Sequence, residues 1–313
     1  MSLLVLTALM FAFVVGANDG AALLGANLTG KAIRPLLGVL VTAAAIVIVP
    51  AFLGTPVADT LAHGLVMFDA PEGPHALLIA VIVTIGIVLV SSRLGLPTSV
   101  TQALTGAMIG AAFGAGLAID LVGAARVLLA LALVPLMTGA AALVVTVVIV
   151  RMRMPSHVGD HLRRLHMVGY VVASTAYAAN DAQKLHAVAA IALGTTPGRL
   201  GIAITSLLAM LFAAGTLFGV RRMALRFRRL LPGRPMNTVI ADYSAGLSVL
   251  ASATVGAPVS MSHATAAGLV GSAAVLDTYR RVRWDQALRI GATWVTTLPA
   301  AMVISAVAAT KLR

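Results

Sequence analysis

Gly16-Ala17-Asn18-Asp19 stands midway along the first apolar run of this chain, and Ala178-Ala179-Asn180-Asp181 stands at the matching place in the sixth. A second pair follows the first. Gly95-Leu96-Pro97-Thr98-Ser99-Val100-Thr101-Gln102 recurs as Gly256-Ala257-Pro258-Val259-Ser260-Met261-Ser262-His263. Asp19 and Asp181 are 162 positions apart, and Pro97 and Pro258 are 161 apart. Two unrelated motifs that keep nearly one separation mark an internal duplication. The halves are residues 1–150 and 166–313, joined by a basic linker, 151–165.

The remaining sequence shows what is duplicated. Of 313 residues, 60% are hydrophobic and 10% charged, with a mean hydropathy of +1.01. A soluble domain has too much surface to hide so much apolar side chain. Ten runs are long enough to cross the hydrocarbon core of a bilayer: 3–28, 36–55, 76–92, 97–118, 126–150, 166–194, 200–220, 237–254, 258–276 and 285–310. The expected fold is all-α, a polytopic membrane protein with about five helices per half. Five crossings is an odd number, so the second half enters with opposite polarity, and the halves form an inverted-topology repeat.

Charge orients the chain. Lys31 and Arg34, Arg93, the arginines of 151–164, six arginines between 221 and 234, and Arg280, Arg281 and Arg283 all fall on one side of this topology. The outer loop 56–75 carries Asp59, Asp69 and Glu72 and no Lys or Arg. The positive-inside bias places both termini outside. The net charge of +12 therefore meets anionic membrane lipid rather than nucleic acid. Aromatics at 4% provide no stacking platform for bases. There is no Cys, which excludes disulfides, thiolate metal sites and cysteine nucleophiles. His-Glu-x-x-His and Gly-Lys-Ser/Thr loop motifs are missing as well, so the chain does not read as an enzyme or an ATPase.

The repeated motifs carry the polar chemistry. An Asp at mid-membrane depth is costly and needs a partner or a task. Packing alone does not call for the same Asn-Asp pair twice. Small flanking residues permit close backbone approach and a break in each helix at the midplane, while 97–118 and 258–276 either cross fully or fold back as re-entrant hairpins. Pro97 and Pro258 suit a first helical turn. Thr98, Ser99 and Thr101, and in the second half Ser260, Ser262 and His263, would then present hydroxyls and helix N-terminal amides to an oxyanion. Ordinary N-capping is the plainer account of any one such motif. Lys184, one turn past Asp181, forms either an intrahelical ion pair or a contact to the anion. Gly106, Gly110 and Gly114 read as a close-packed helix face. Asp242 reads as a cap near an inner surface.

On these residues the chain resembles the inorganic phosphate transporter (PiT) family, whose members carry two Gly-Ala-Asn-Asp-like signatures, each followed by a Pro-Val-Ser-Thr-Thr-His-like one. Asn180-Asp181-Ala182-Gln183-Lys184 is similar to the Asn-Asp-Ala-Gln-Lys form of bacterial members, and 29–35 resembles the end of the first signature. The resemblance implies a secondary transporter in the cytoplasmic (inner) membrane of a prokaryote. It would import inorganic phosphate on a sodium or proton gradient by alternating access. It further implies that Asp19 and Asp181, with Asn18, Asn180 and Thr98, hold the coupling cation, sodium being one candidate. Asn18, Ser99, Thr101, Asn180, Lys184, Ser260, Ser262 and His263 would then bind phosphate. No other cofactor is implied. The sequence departs from the family pattern at Ala22, Gln102 and Met261. A sulfate permease of the same architecture and an anion channel stay open, as does a homo-oligomer.

Overall fold

The computed structural model describes residues 2–28, 33–94, 98–152, 159–230, 235–276 and 284–312. Pro97, Lys31, Arg153, Arg234 and Arg280–Arg283, used above for capping and orientation, lie outside the described residues.

The first apolar run begins where Ser2 caps α1 (Leu3–Val15), its hydroxyl accepting from the Val5 amide at 3.3 Å. At Gly16–Gly20 the helix widens into one π turn before continuing as α2 (Ala21–Asn27). The Ala21 amide reaches back five residues to the Gly16 carbonyl. The expected break is therefore a bulge, which turns side chains aside without abandoning the hydrogen bonds that an apolar medium demands. Then follow α3 (Pro35–Leu53), a short α4 (Pro56–His63), α5 (Gly73–Leu94), α6 (Val100–Ala115) and α7 (Leu121–Arg151).

The second half follows the same order without a counterpart of α4. The sixth run is α8 (Gly159–Ala179), a turn at 180–182, and α9 (Gln183–Leu193). In that turn the Ala182 amide again bonds five residues back, to Tyr177, at 2.8 Å. Next come α10 (Ile202–Leu230), α11 (Pro235–Thr254), α12 (Met261–Leu276) and α13 (Trp284–Ala309). α8 starts at Gly159 and so takes in much of the stretch read as linker. Among the described residues the one β-type backbone pairing is an isolated antiparallel bridge between Val66 and Ile119.

Six segments of the described chain are long and apolar enough to span a bilayer: Leu3–Asn27, Pro35–Leu53, Gly73–Leu94, Leu121–Arg151, Ile202–Leu225 and Gly291–Leu312. Of the ten runs read from sequence, 97–118, 166–194, 237–254 and 258–276 are not among these six. α3 and α7 leave most of their surface outward, with Phe52 at 82% exposure and Leu136 at 70%. Such apolar surfaces suit lipid and are unsuited to water. α6 and α12 are the opposite. Each has 16 residues, about 24 Å of helix against roughly 30 Å of hydrocarbon. Nearly every α6 side chain is buried. Each is one continuous helix, not a hairpin, reached through an extended stretch. Both begin three residues after their Pro, so Pro258 lies before the first turn rather than in it.

Packing across the halves is exchanged. α6 lies against α13 and α12 against α7, while α3 lies against α8 and α10 against α1, the π turn and α2. Each contact has its counterpart with the halves swapped. Glycine sets the closeness. A Cβ at Gly110 would lie 2.0 Å from the Met302 carbonyl oxygen, and one at Gly106 would lie 2.4 Å from that of Leu298. On the matching face, a Cβ at Gly271 would lie 2.2 Å from the Gly139 carbonyl oxygen. The π turn rests on α10 in the same way: a Cβ at Gly16 would lie 2.0 Å from the Phe212 carbonyl oxygen. The Gly106-Gly110-Gly114 face therefore packs as expected.

Gly110→Val should lower the unfolding temperature in detergent by separating α6 from α13, a loss of roughly 1–3 kcal/mol or more. Gly86→Ala on α5, where a Cβ would meet nothing within 4 Å, should leave the unfolding temperature unchanged or slightly raised.

Candidate functional site

Both bulges deliver an Asn-Asp pair into the protein interior, and the two Asn side chains do similar work. Asn18 Nδ2 donates to the Thr98 carbonyl at 3.1 Å, and Asn180 Nδ2 donates to the Ala257 carbonyl at 2.9 Å. Asn180 Oδ1 also accepts from the Val259 amide at 3.0 Å. Each amide thus holds the extended strand that leads into the short helix of its own half. These strands have no helical partner for their backbone groups, and in an apolar interior an unpaired group is expensive.

The two carboxylates converge on one ammonium. Lys184 Nζ lies 2.6 Å from Asp19 Oδ2, bonds Asp181 Oδ1, and donates to Thr101 Oγ1 at 3.2 Å. Lys184 is 1% exposed, Asp181 2% and Asp19 4%. The pairing is thus wider than an intrahelical ion pair. It joins the first half to the second through Asp19 and Thr101.

The carboxylates have further donors. Asp19 Oδ1 accepts from Asn18 Nδ2 at 2.8 Å, Asp181 Oδ1 accepts from Thr101 Oγ1 at 2.9 Å, and Asp181 Oδ2 accepts from the Met261 amide. That amide opens α12, so the positive end of the helix faces Asp181. Buried charges are tolerated only when their hydrogen bonds are complete, and here all four carboxylate oxygens have donors.

The remaining predicted residues lie around this centre. Ser99 caps α6 and accepts from the Gln102 amide at 3.2 Å. Thr98 Oγ1 meets Thr297 Oγ1 of α13 at 2.9 Å. Ser260 and Ser262 hydroxyls lie 2.9 Å apart, and the His263 amide donates to Ser260 Oγ at 3.4 Å. The His263 ring stacks on Trp294 with centroids 3.8 Å apart. Its Nε2 has no partner among the described residues.

A cavity of about 10 Å³ lies beside Asp19, lined by Ala22, Leu23, Met261, Ser262 and Thr265. That is room for one water-sized sphere. Thr265 Oγ1, also buried, has no partner among the described residues. A tetrahedral oxyanion is larger than this cavity and enters only if the helices around it separate.

Several residues here carry no signal in the repeated motifs. Gln183 fastens the second signature to the first turn of α4 and the loop ahead of it: its Oε1 accepts from the Ala58 amide at 2.9 Å, and its Nε2 donates to the Gly54 carbonyl at 3.1 Å. The Tyr177 ring lies with its centroid 6.0 Å from Lys184 Nζ. Asp242, read as a surface cap, is fully buried and accepts from Asn27 Nδ2 at 3.1 Å, while Asn27 Oδ1 meets His166 Nε2 at 2.8 Å. This second polar chain again ties the first half, through α2, to the second, through α8 and α11.

A polytopic helical membrane protein with its ionic residues buried together where two half-chains meet belongs to the class of transporters. Residues 15–305 match the phosphate transporter family, and the chain belongs to that family. It is 26% identical to a probable low-affinity inorganic phosphate transporter of Bacillus subtilis (strain 168), over 98% of this chain and 95% of the relative. It is 29% identical to one of Rhizobium meliloti (strain 1021), over 97% and 93%. Its fold is similar to that of a solved structure described as the sodium-dependent phosphate transporter, with a TM-score of 0.83, 16% identity, and 97% and 96% of the two chains covered.

Lys184→Met leaves two buried carboxylates without a cation and should cost roughly 3–5 kcal/mol, read as a lowered unfolding temperature in detergent. Adding Asp19→Asn should recover part of that loss. A double variant that loses the sum of the two single effects would show that the residues do not interact.

Proposed function

We propose that this chain imports inorganic phosphate across the cytoplasmic membrane of a prokaryote as a secondary active transporter, driven by a sodium or proton gradient through alternating access. The observation that carries this reading is the centre shared by the two halves. Asp19 and Thr101 come from one and Asp181 and Lys184 from the other. A relative movement of the halves therefore remakes the site each time it opens. The exchanged packing of α6 on α13 and α12 on α7 supports an inverted-topology repeat over 1–150 and 166–313; the bias of Lys and Arg along the sequence favours both termini outside and the basic loops inside.

Chemically, the centre suits a phosphate. Lys184 provides a donor cation, and Thr101, Ser260 and Ser262 provide hydroxyls. Asp19 and Asp181 are acceptors only while ionised, so an approaching phosphate is kept from them unless a cation stands between. Phosphate is favoured over sulfate by the names of the bacterial relatives. A transporter is favoured over an anion channel by the closed centre, whose small cavity offers no continuous polar path.

Proteoliposomes of purified protein should accumulate labelled phosphate against its gradient when an inward sodium or proton gradient is imposed. An ionophore that collapses the gradient should stop it. Asp19→Asn and Asp181→Asn should each reduce uptake by about tenfold or more with helical content retained. Accumulation of sulfate alone would reassign the substrate. Uptake of neither anion by folded protein, or normal uptake by both variants, would refute the proposal.

A further inference from the structure

The duplication is not symmetric at its most charged point. At the 162-residue offset that relates Asp19 to Asp181, the counterpart of Lys184 is Ala22. Ala22 lines the small cavity beside Asp19. One half thus carries an ammonium and the other a methyl group, and the single ammonium serves the carboxylates of both.

The place that Lys184 Nζ fills is one a small cation would otherwise take. Around it stand an oxygen of Asp19, an oxygen of Asp181 and the hydroxyl oxygen of Thr101. Oxygens of carboxylate and hydroxyl groups are what hard cations bind. An ammonium has three N–H donors, and here all three are matched. A sodium ion placed between the same carboxylates would stand at contact distance from a full positive charge. In an interior shielded from water that repulsion is barely screened. The stem of Lys184 is anchored in α9, so this cation stays with the protein.

We propose that Lys184 is the built-in counter-cation of the Asp19–Asp181 pair and determines ion specificity: it excludes sodium from the pair, so transport proceeds without sodium. This rests on the reading of the chain as a phosphate importer and narrows its driving ion. It also separates this chain from the structurally similar protein described as sodium-dependent. The likeness between the two is one of fold and does not extend to this ion.

Two measurements test the proposal, one of them without transport. Purified wild-type protein in detergent is titrated with sodium chloride, with choline chloride as the control, and both radioactive sodium binding and the unfolding temperature are followed. The wild type should bind no sodium saturably and should unfold alike in the two salts. Lys184→Gln should gain saturable sodium binding and regain thermal stability in sodium but not in choline. Saturable sodium binding by the wild type that a folded Asp19→Asn protein lacks would overturn the proposal.

In proteoliposomes under one fixed proton gradient, wild-type phosphate uptake should be equal in sodium and choline. Lys184→Gln uptake should become stimulated by sodium on the order of tenfold. Wild-type uptake that requires sodium would refute the exclusion while leaving phosphate import intact. Absence of uptake in every condition would instead count against the import reading, with the binding arm still deciding the role of Lys184.

Discussion

The structure turns on one ammonium held between two carboxylates that lie far apart in sequence and within hydrogen-bonding distance of it in space. Lys184, Asp19 and Asp181 are almost wholly buried, where a charge with incomplete partners is not tolerated. That requirement reaches outward through the fold. The π turn at Gly16–Gly20 and the turn at 180–182 aim the carboxylates inward. Asn18 and Asn180 hold the strands that start α6 and α12. The Met261 amide and the Thr101 hydroxyl then complete Asp181. Glycines on α6, α10 and α12 bring the backbones near enough for these short side chains to meet. An error in any of these would leave a charge unpaired in a medium with no water to replace the partner.

Much of this was legible in the sequence, because the duplicated motifs fall at the two places where an apolar run carries an acid. Repetition pointed to the residues of the buried ionic centre, and hydropathy supplied the helices that leave their apolar faces outward. Hydropathy alone did not separate lipid-facing helices from buried ones. α6 and α12 are as apolar as the spans, yet are short and enclosed, and α11 is diluted by polar residues that pair inside. Asp242 illustrates the limit. Its position near the start of a run suggested a cap, but its partner Asn27 lies 215 residues away in sequence, and nothing local reports such a contact.

The same limit applies to Lys184. Its spacing from Asp181 reveals the ion pair on one helix, whereas the link to Asp19 depends on how the halves pack. Proline was a misleading marker for a similar reason. Pro258 appeared suited to open a helix, but Asn180 takes the backbone at Ala257 and Val259, which delays the helix to Met261. Ala22 was visible as a departure from the family pattern. Its meaning emerged only when the cavity beside Asp19 and the reach of Lys184 could be seen together.

The family supplies a general task, the movement of phosphate, and in the reading proposed above the buried centre would supply the means: donors for an oxyanion, paired acids with their cation, and a joint that opens to admit anything larger than water. The central claim is that the anion binds where the two Asn-Asp turns meet. Equilibrium binding of labelled phosphate to purified wild-type and Asp181→Asn protein tests it most directly, with helical content measured alongside. The account predicts saturable binding by the wild type that is lost in a folded Asp181→Asn. Undiminished binding by that variant would contradict it.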